Sequence, residues 1–253
     1  VSPLEAVLVA LAGVAAGTIN TVVGSGTLIT FPTLLAFGVP PVTANVSNTI
    51  GLVPGSISGA AGYRRELSGQ RARMLHLASA SASGGLVGGI LLLAVPDAFE
   101  VVVPGLIALG ILLVIAGPRI SEWVAARHEA AGGLPHRGAW WVWPGMFACG
   151  IYGGYFGAAQ GVLMMAVLGI GIDETLQRLN GLKNVLAALV NGLAGLLFAV
   201  VADVDWLVVA LIAVGSTVGG QIGASVGRRL PATVLRVLIV AVGVTALVSF
   251  MRG

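Results

Sequence analysis

Charge is scarce in this sequence. Only 9% of its 253 residues are Asp, Glu, Lys or Arg, against about 25% in a soluble domain. There is one cysteine, one lysine (Lys183) and three histidines. A lone Cys149 excludes a disulfide framework and a cysteine-based metal site; it reads as a small residue in a packed helix. The few His, Asp and Glu residues show no metal-ligand spacing, no Ser–His–Asp constellation and no paired carboxylates within an apolar run. No enzyme signature and no cofactor are therefore expected. The net charge of +3 comes almost wholly from loop arginines. In an apolar chain that speaks to topology rather than to nucleic acid, and no nucleic-acid partner is expected.

Hydrophobic residues make up 57% of the chain, with a mean hydropathy of +1.00. Several apolar runs exceed the roughly 18 residues that span a bilayer. The expectation is an all-α, polytopic protein whose main partner is the lipid bilayer. The start, VSPLE, has no positive region, so the first helix is expected to be retained rather than cleaved.

The 38 glycines carry a repeat. Gly17, Gly24 and Gly38 recur 133 residues later as Gly150, Gly157 and Gly171. Gly84, Gly85, Gly88 and Pro96 recur 135 residues later as Gly219, Gly220, Gly223 and Pro231. Within this register Asn45, Asn48, Thr49 and Ser56 match Asn180, Lys183, Asn184 and Asn191. Both sets fall at i, i+3, i+4 and i+11, in an arc of roughly 100° on a helix. Each half thus has one helix with a polar stripe, which serves interhelical hydrogen bonding or lines a shared cavity.

Loop charges give the orientation. Arg64, Arg65, Arg71 and Arg73 follow the first polar helix, whereas its counterpart is followed by 203-DVD-205. The next pair of loops reverses this, 96-PDAFE-100 against Arg228 and Arg229. Positive loops mark the cytoplasmic side, so the repeat reads as inverted. Residues 1–117 form a first membrane repeat, 118–139 a cytoplasmic linker with Arg119, Arg127, His128, His136 and Arg137, and 140–253 a second repeat. Trp140, Trp141 and Trp143 read as an interfacial belt. Both termini are expected outside a cell membrane. Crossings are expected near 43–63, 74–95, 98–117, 179–202, 206–226 and 231–250. What precedes each set of three must then cross an even number of times. Thr27 to Phe37 would reach only about 16 Å of a core about 30 Å thick, so each opening stretch is a hairpin or a pair of short helices broken at Gly24-Ser25-Gly26 and around Gly157.

A helix that restarts inside a membrane offers free N–H groups and a positive dipole end to an anion. Ser25, Thr27 and Gln160 could add side-chain donors at the two restarts. The plainer role of such glycines is close helix packing, as expected for Gly51, Gly55 and Gly59. Lys183 lies on a polar stripe; it is a functional candidate unless it snorkels to the interface. Asn45, Asn48, Asn180 and Asn184 would line the path of a small anionic substrate. Arg236 reads as interfacial, and His76 has no assigned role.

The stretch 17-GTINTVVGSGTLITFPTLLAFGVPPVTANVSNT-49 resembles the TauE/SafE (sulfite exporter, TSUP) family of membrane transporters. It shows a glycine-broken segment, a proline after the restart, a Gly-x-Pro turn and Ala44-Asn45 leading into a polar helix. The counterpart from Gly150 to Asn191 is more divergent, with Met165 in place of Pro32. The likeness covers nearly the whole chain. It implies export of small sulfur-containing anions such as sulfite, sulfoacetate or other organosulfonates. The residues favour an alternating-access carrier; an anion channel or an accessory subunit of a larger complex is the alternative. A homo-oligomer is left open.

Overall fold

A computed structural model describes residues 2–130, 138–225 and 232–252. The side chains of Arg127 and His128, together with His136, Arg137, Arg228, Arg229 and Pro231, lie outside the described residues. The described chain is all helix: α1 Pro3–Val22, α2 Thr27–Ala36, α3 Pro41–Gly62, α4 Arg71–Ala94, α5 Pro96–Ala130, α6 Val142–Tyr155, α7 Gln160–Gly171, α8 Leu176–Val201, α9 Trp206–Ser225 and α10 Ala232–Arg252. Among the described residues five helices are long and apolar enough to cross a membrane: α1, α4, the Pro96–Ile120 part of α5, α8 and α9. The helix of α5 runs past the expected end at 117 into the linker stretch, with Pro118 inside it.

The polarity of the molecule is turned inside out. Val101 is 81% exposed and Val200 79%, while Asn45, Asn48 and Ser25 are fully buried. In water that arrangement would forfeit about 1.5–3 kcal/mol for each large apolar side chain left outside. In lipid it costs nothing, and Asn45 and Asn48 find hydrogen-bond partners inside.

Helix directions follow from close contacts at glycines. An added Cβ on Gly13 would meet Ile212 and Gly215, and one on Gly17 would meet Ser216; α1 and α9 therefore run parallel. Gly51 faces Ile212, Gly55 faces Ser216 and Gly62 faces Ala224, so α3 is parallel to α9 as well. The helices α4, α6 and α8 do the same. Gly84 abuts Phe147 and Gly88 abuts Ile151, aligning α4 with α6, and Gly85 with Val190 and Gly89 with Phe198 align α4 with α8. Between the two groups the direction reverses: Gly195 abuts Ile50 and Gly181 abuts Tyr63, so α3 and α8 are antiparallel. Without side chains at these points the backbones approach closely, which is how helices gain packing in lipid. Of the three glycines expected to pack, Gly51 and Gly55 meet α9, and Gly59 meets Thr21 of α1. The remaining helices exchange partners across the halves, with α2 on α10 and α7 on α5.

Both opening stretches are hairpins. Gly26 lies against Ala16 and Asn20, so the chain folds back along α1. Gln160 lies against Gly153, so α7 folds back along α6. The arms are unequal in the first half, 20 residues in α1 and 10 in α2. They are 14 and 12 residues in the second.

Candidate functional site

The two hairpin tips touch. The Gly161 N–H donates to Gly24 O at 3.0 Å. Gly24 has φ +85°, and a Cβ there would overlap the Gly161 backbone. Glycine is required here twice over, for the left-handed backbone and for the approach. The second tip turns through Gly157 (φ 76°) and Ala159 (φ 58°).

A helix that stops inside the protein strands its last carbonyls. Side chains from the polar stripes meet them, each reaching into the other half. The Lys183 amine donates to Asn20 O (3.1 Å) and Thr21 O (3.2 Å) at the end of α1. Asn180 Nδ2 and Asn184 Nδ2 donate to the same Thr21 O at 3.2 and 3.3 Å. On the opposite side Asn45 Nδ2 donates to Tyr155 O, the last carbonyl of α6, at 2.9 Å. Asn180 and Asn45 are equivalent positions, so the capping is two-fold in pattern. Asn48 departs from it: where Lys183 meets a helix end, Asn48 bonds the restarted helix, donating to Thr27 Oγ1 at 3.3 Å and accepting from Thr30 Oγ1.

Lys183 is 1% exposed, which excludes snorkelling to the interface. Its stem passes the junction of the tips: a Cβ on Gly161 would sit 3.1 Å from Lys183 Cδ. The ion pairs of Glu174 with Arg73 and Arg178 do not involve Lys183.

The eight expected site residues therefore divide. Lys183, Asn180 and Asn184 converge on the end of α1 beside the tips, and Asn48 joins Thr27 at the start of α2. Ser25, fully buried, leaves its Oγ without a hydrogen-bond partner. Gln160 turns away from the first tip; its Nε2 donates to Cys149 O at 3.3 Å and closes its own hairpin. Asn45 caps α6 and keeps its Oδ1 unpartnered.

Sequence reasoning missed a cluster at one end of the bundle. Glu174 in the α7–α8 connection pairs with Arg178 Nε at 2.8 Å and with Arg73 of α4 at 3.3 Å. Gln70 Nε2 donates to Arg178 O at 3.2 Å, and an Arg178 nitrogen donates to Ser68 O at 3.0 Å. The α3–α4 connection of one half is thereby tied to the α7–α8 connection of the other. Burial pushes the Glu174 carboxyl up, but bonds from Arg178, the Thr175 N–H and Arg73 outweigh it and hold the group below its ordinary value. The Glu174–Arg178 spacing of four is a legible helix-start signal; the partnership with Arg73 needs the tertiary fold.

Ten helices among the described residues, an apolar exterior, a polar interior and two touching hairpin tips define a polytopic membrane protein of the kind that moves solutes. Comparison with known proteins agrees. The family model described as sulfite exporter TauE/SafE matches residues 9–250, and the chain belongs to that family of membrane transporters. A "probable membrane transporter protein ORF9" of Sinorhizobium sp is 26% identical over 250 residues, covering 93% of this chain and 88% of the relative. A "probable membrane transporter protein YfcA" of Escherichia coli K12 is 26% identical over 244 residues, covering 96% and 88%.

Proposed function

We propose that this transporter exports small sulfur-containing anions, such as sulfite, sulfoacetate or another organosulfonate, by alternating access, holding the anion at the paired hairpin tips. The observation that carries the reading is the buried Lys183 amine at the tips with no carboxylate partner among the described residues. Four helix ends meet there. The ends of α1 and α6 carry about −0.5 charge each and the starts of α2 and α7 about +0.5, so they offset one another. Lys183 then decides the sign. With its proton, it neutralises the end of α1 and leaves the starts of α2 and α7 to attract an anion. Ser25 Oγ, buried and unbonded, is available as a donor to an oxyanion. An interior negative by about 100 mV drives a monovalent anion outward by roughly 2.3 kcal/mol, so export needs no coupled ion.

The opposed directions of α3 and α8 support an inverted repeat, which in turn suits alternating access. We place the linker and the arginine-bearing α3–α4 loop in the cytoplasm and both termini outside the cell membrane. The Glu174 cluster then closes the cytoplasmic end. The other end is joined by a neutral bond, Asp205 N–H to Ser47 Oγ at 3.0 Å. Reconstitution tests this. Vesicles loaded with sulfite should show saturable efflux and counterflow that Lys183→Gln abolishes. Unsaturable conductance would make the protein a channel, and no flux of any sulfur anion would contradict the reading.

A further inference from the structure

We propose that the groove between α5 and α10 seats one anionic phospholipid, its phosphate on Arg236 and an acyl chain along Val237, Val240 and Val244. The groove has a volume of about 690 Å³ and is closed on the α5 side by Ile115. Its lining residues come from α5 and α10 alone and include none of the hairpin tips.

Its lining is amphiphilic. Arg236 is the charged residue in it, and among the described residues no Asp or Glu lines it. The Arg236 Nε is enclosed and has no hydrogen-bond partner. An arginine in an apolar segment without an acid calls for an anion from outside the chain. Arg236 lies one turn into α10, and the groove runs from there to Thr245. Nine residue steps cover about 14 Å, close to half of a core about 30 Å thick. A cation at the surface end and an apolar channel one leaflet deep match the shape of a phospholipid. A second copy of the chain is a poorer occupant, because it would cover Arg236 without supplying a carboxylate from the matching face. A free inorganic anion would satisfy Arg236 and leave the apolar channel unused.

Native mass spectrometry of the purified full chain tests this, with phosphatidylglycerol or phosphatidylcholine of equal chain length added after delipidation. The wild type should retain phosphatidylglycerol under activation that strips phosphatidylcholine. Arg236→Gln should lower that retention about fivefold, the effect of one basic group on an anionic lipid, and Arg236→Lys should restore most of it. Val240→Trp, which fills the channel and keeps the charge, should also lower it. Equal retention of the two lipids by the wild type would overturn the proposal. So would unchanged retention in Arg236→Gln, displacement of the lipid by inorganic phosphate alone, or a dimer cross-linked through position 244.

Discussion

Ser25 is unusual among the buried polar groups because removing it should help the fold. An unbonded buried hydroxyl carries a desolvation cost with no compensating bond, and its Oγ has no partner. Ser25→Ala should therefore leave the melting temperature unchanged or raise it by a few degrees, while anion affinity falls by about tenfold, the weight of one hydrogen bond to a charged group. Thermal melts with and without sulfite read both. A destabilised alanine variant with unchanged affinity would assign Ser25 to packing. The polar stripes were legible as stripes, since their i, i+3, i+4, i+11 spacing is a property of the sequence. What each side chain bonds was not, because the acceptors are stranded carbonyls of α1 and α6 in the other half. The partner of Gln160 was illegible for the same reason: Cys149 O comes within reach only when α7 folds back on α6.

At the scale of elements, the hairpin tips should resist any added atom. Gly161→Ala would drive a methyl into the Gly24 backbone, which cannot step aside as a flexible side chain would. Overpacking of this kind costs about 3 kcal/mol, or roughly 6–12 °C for a chain of this size. Gly192→Ala in α8, with nothing within 4 Å of the new methyl, should be neutral or stabilising by up to about 1 kcal/mol. Thermal melts of the pair measure the difference directly, and equal effects would deny that the tips touch. The glycines announced the breaks, and the shortness of Thr27 to Phe37 excluded a full crossing. The sequence did not distinguish a hairpin from two short helices. That choice rests on contacts such as Gly26 with Ala16, and α1 proved long rather than short.

Six of the ten described helices form a pair of three-helix groups, α1–α3–α9 and α4–α6–α8, held at one end by the Glu174 cluster. Glu174→Gln should weaken that closure. Amide exchange in 64–70 and 172–178 should speed up about tenfold, the equivalent of one lost charged hydrogen bond, with the helix cores unchanged. Unchanged exchange in Glu174→Gln would show that the cluster does not hold the end shut. The pH dependence has a definite sign. Because the Glu174 group is held below its ordinary value, its contribution is complete above the usual carboxylate pKa of about 4.3 and is lost as the pH falls through the lowered one. Exchange corrected for its chemical rate should be flat from neutral down to that range and rise only in stronger acid.

The sign of charge at the tips is what decides the solute, and one set of melts reads it: wild type and Lys183→Gln against sulfite, sulfate, thiosulfate, sulfoacetate, taurine and acetate. A ligand at 100 times its Kd adds about 2.7 kcal/mol to stability, several degrees here. Selective stabilisation of the wild type by a sulfur oxyanion or sulfonate, absent from a folded Lys183→Gln, is the expected result. Equal stabilisation of both proteins would contradict it, leaving Lys183 as a cap on α1 and the anion bound elsewhere.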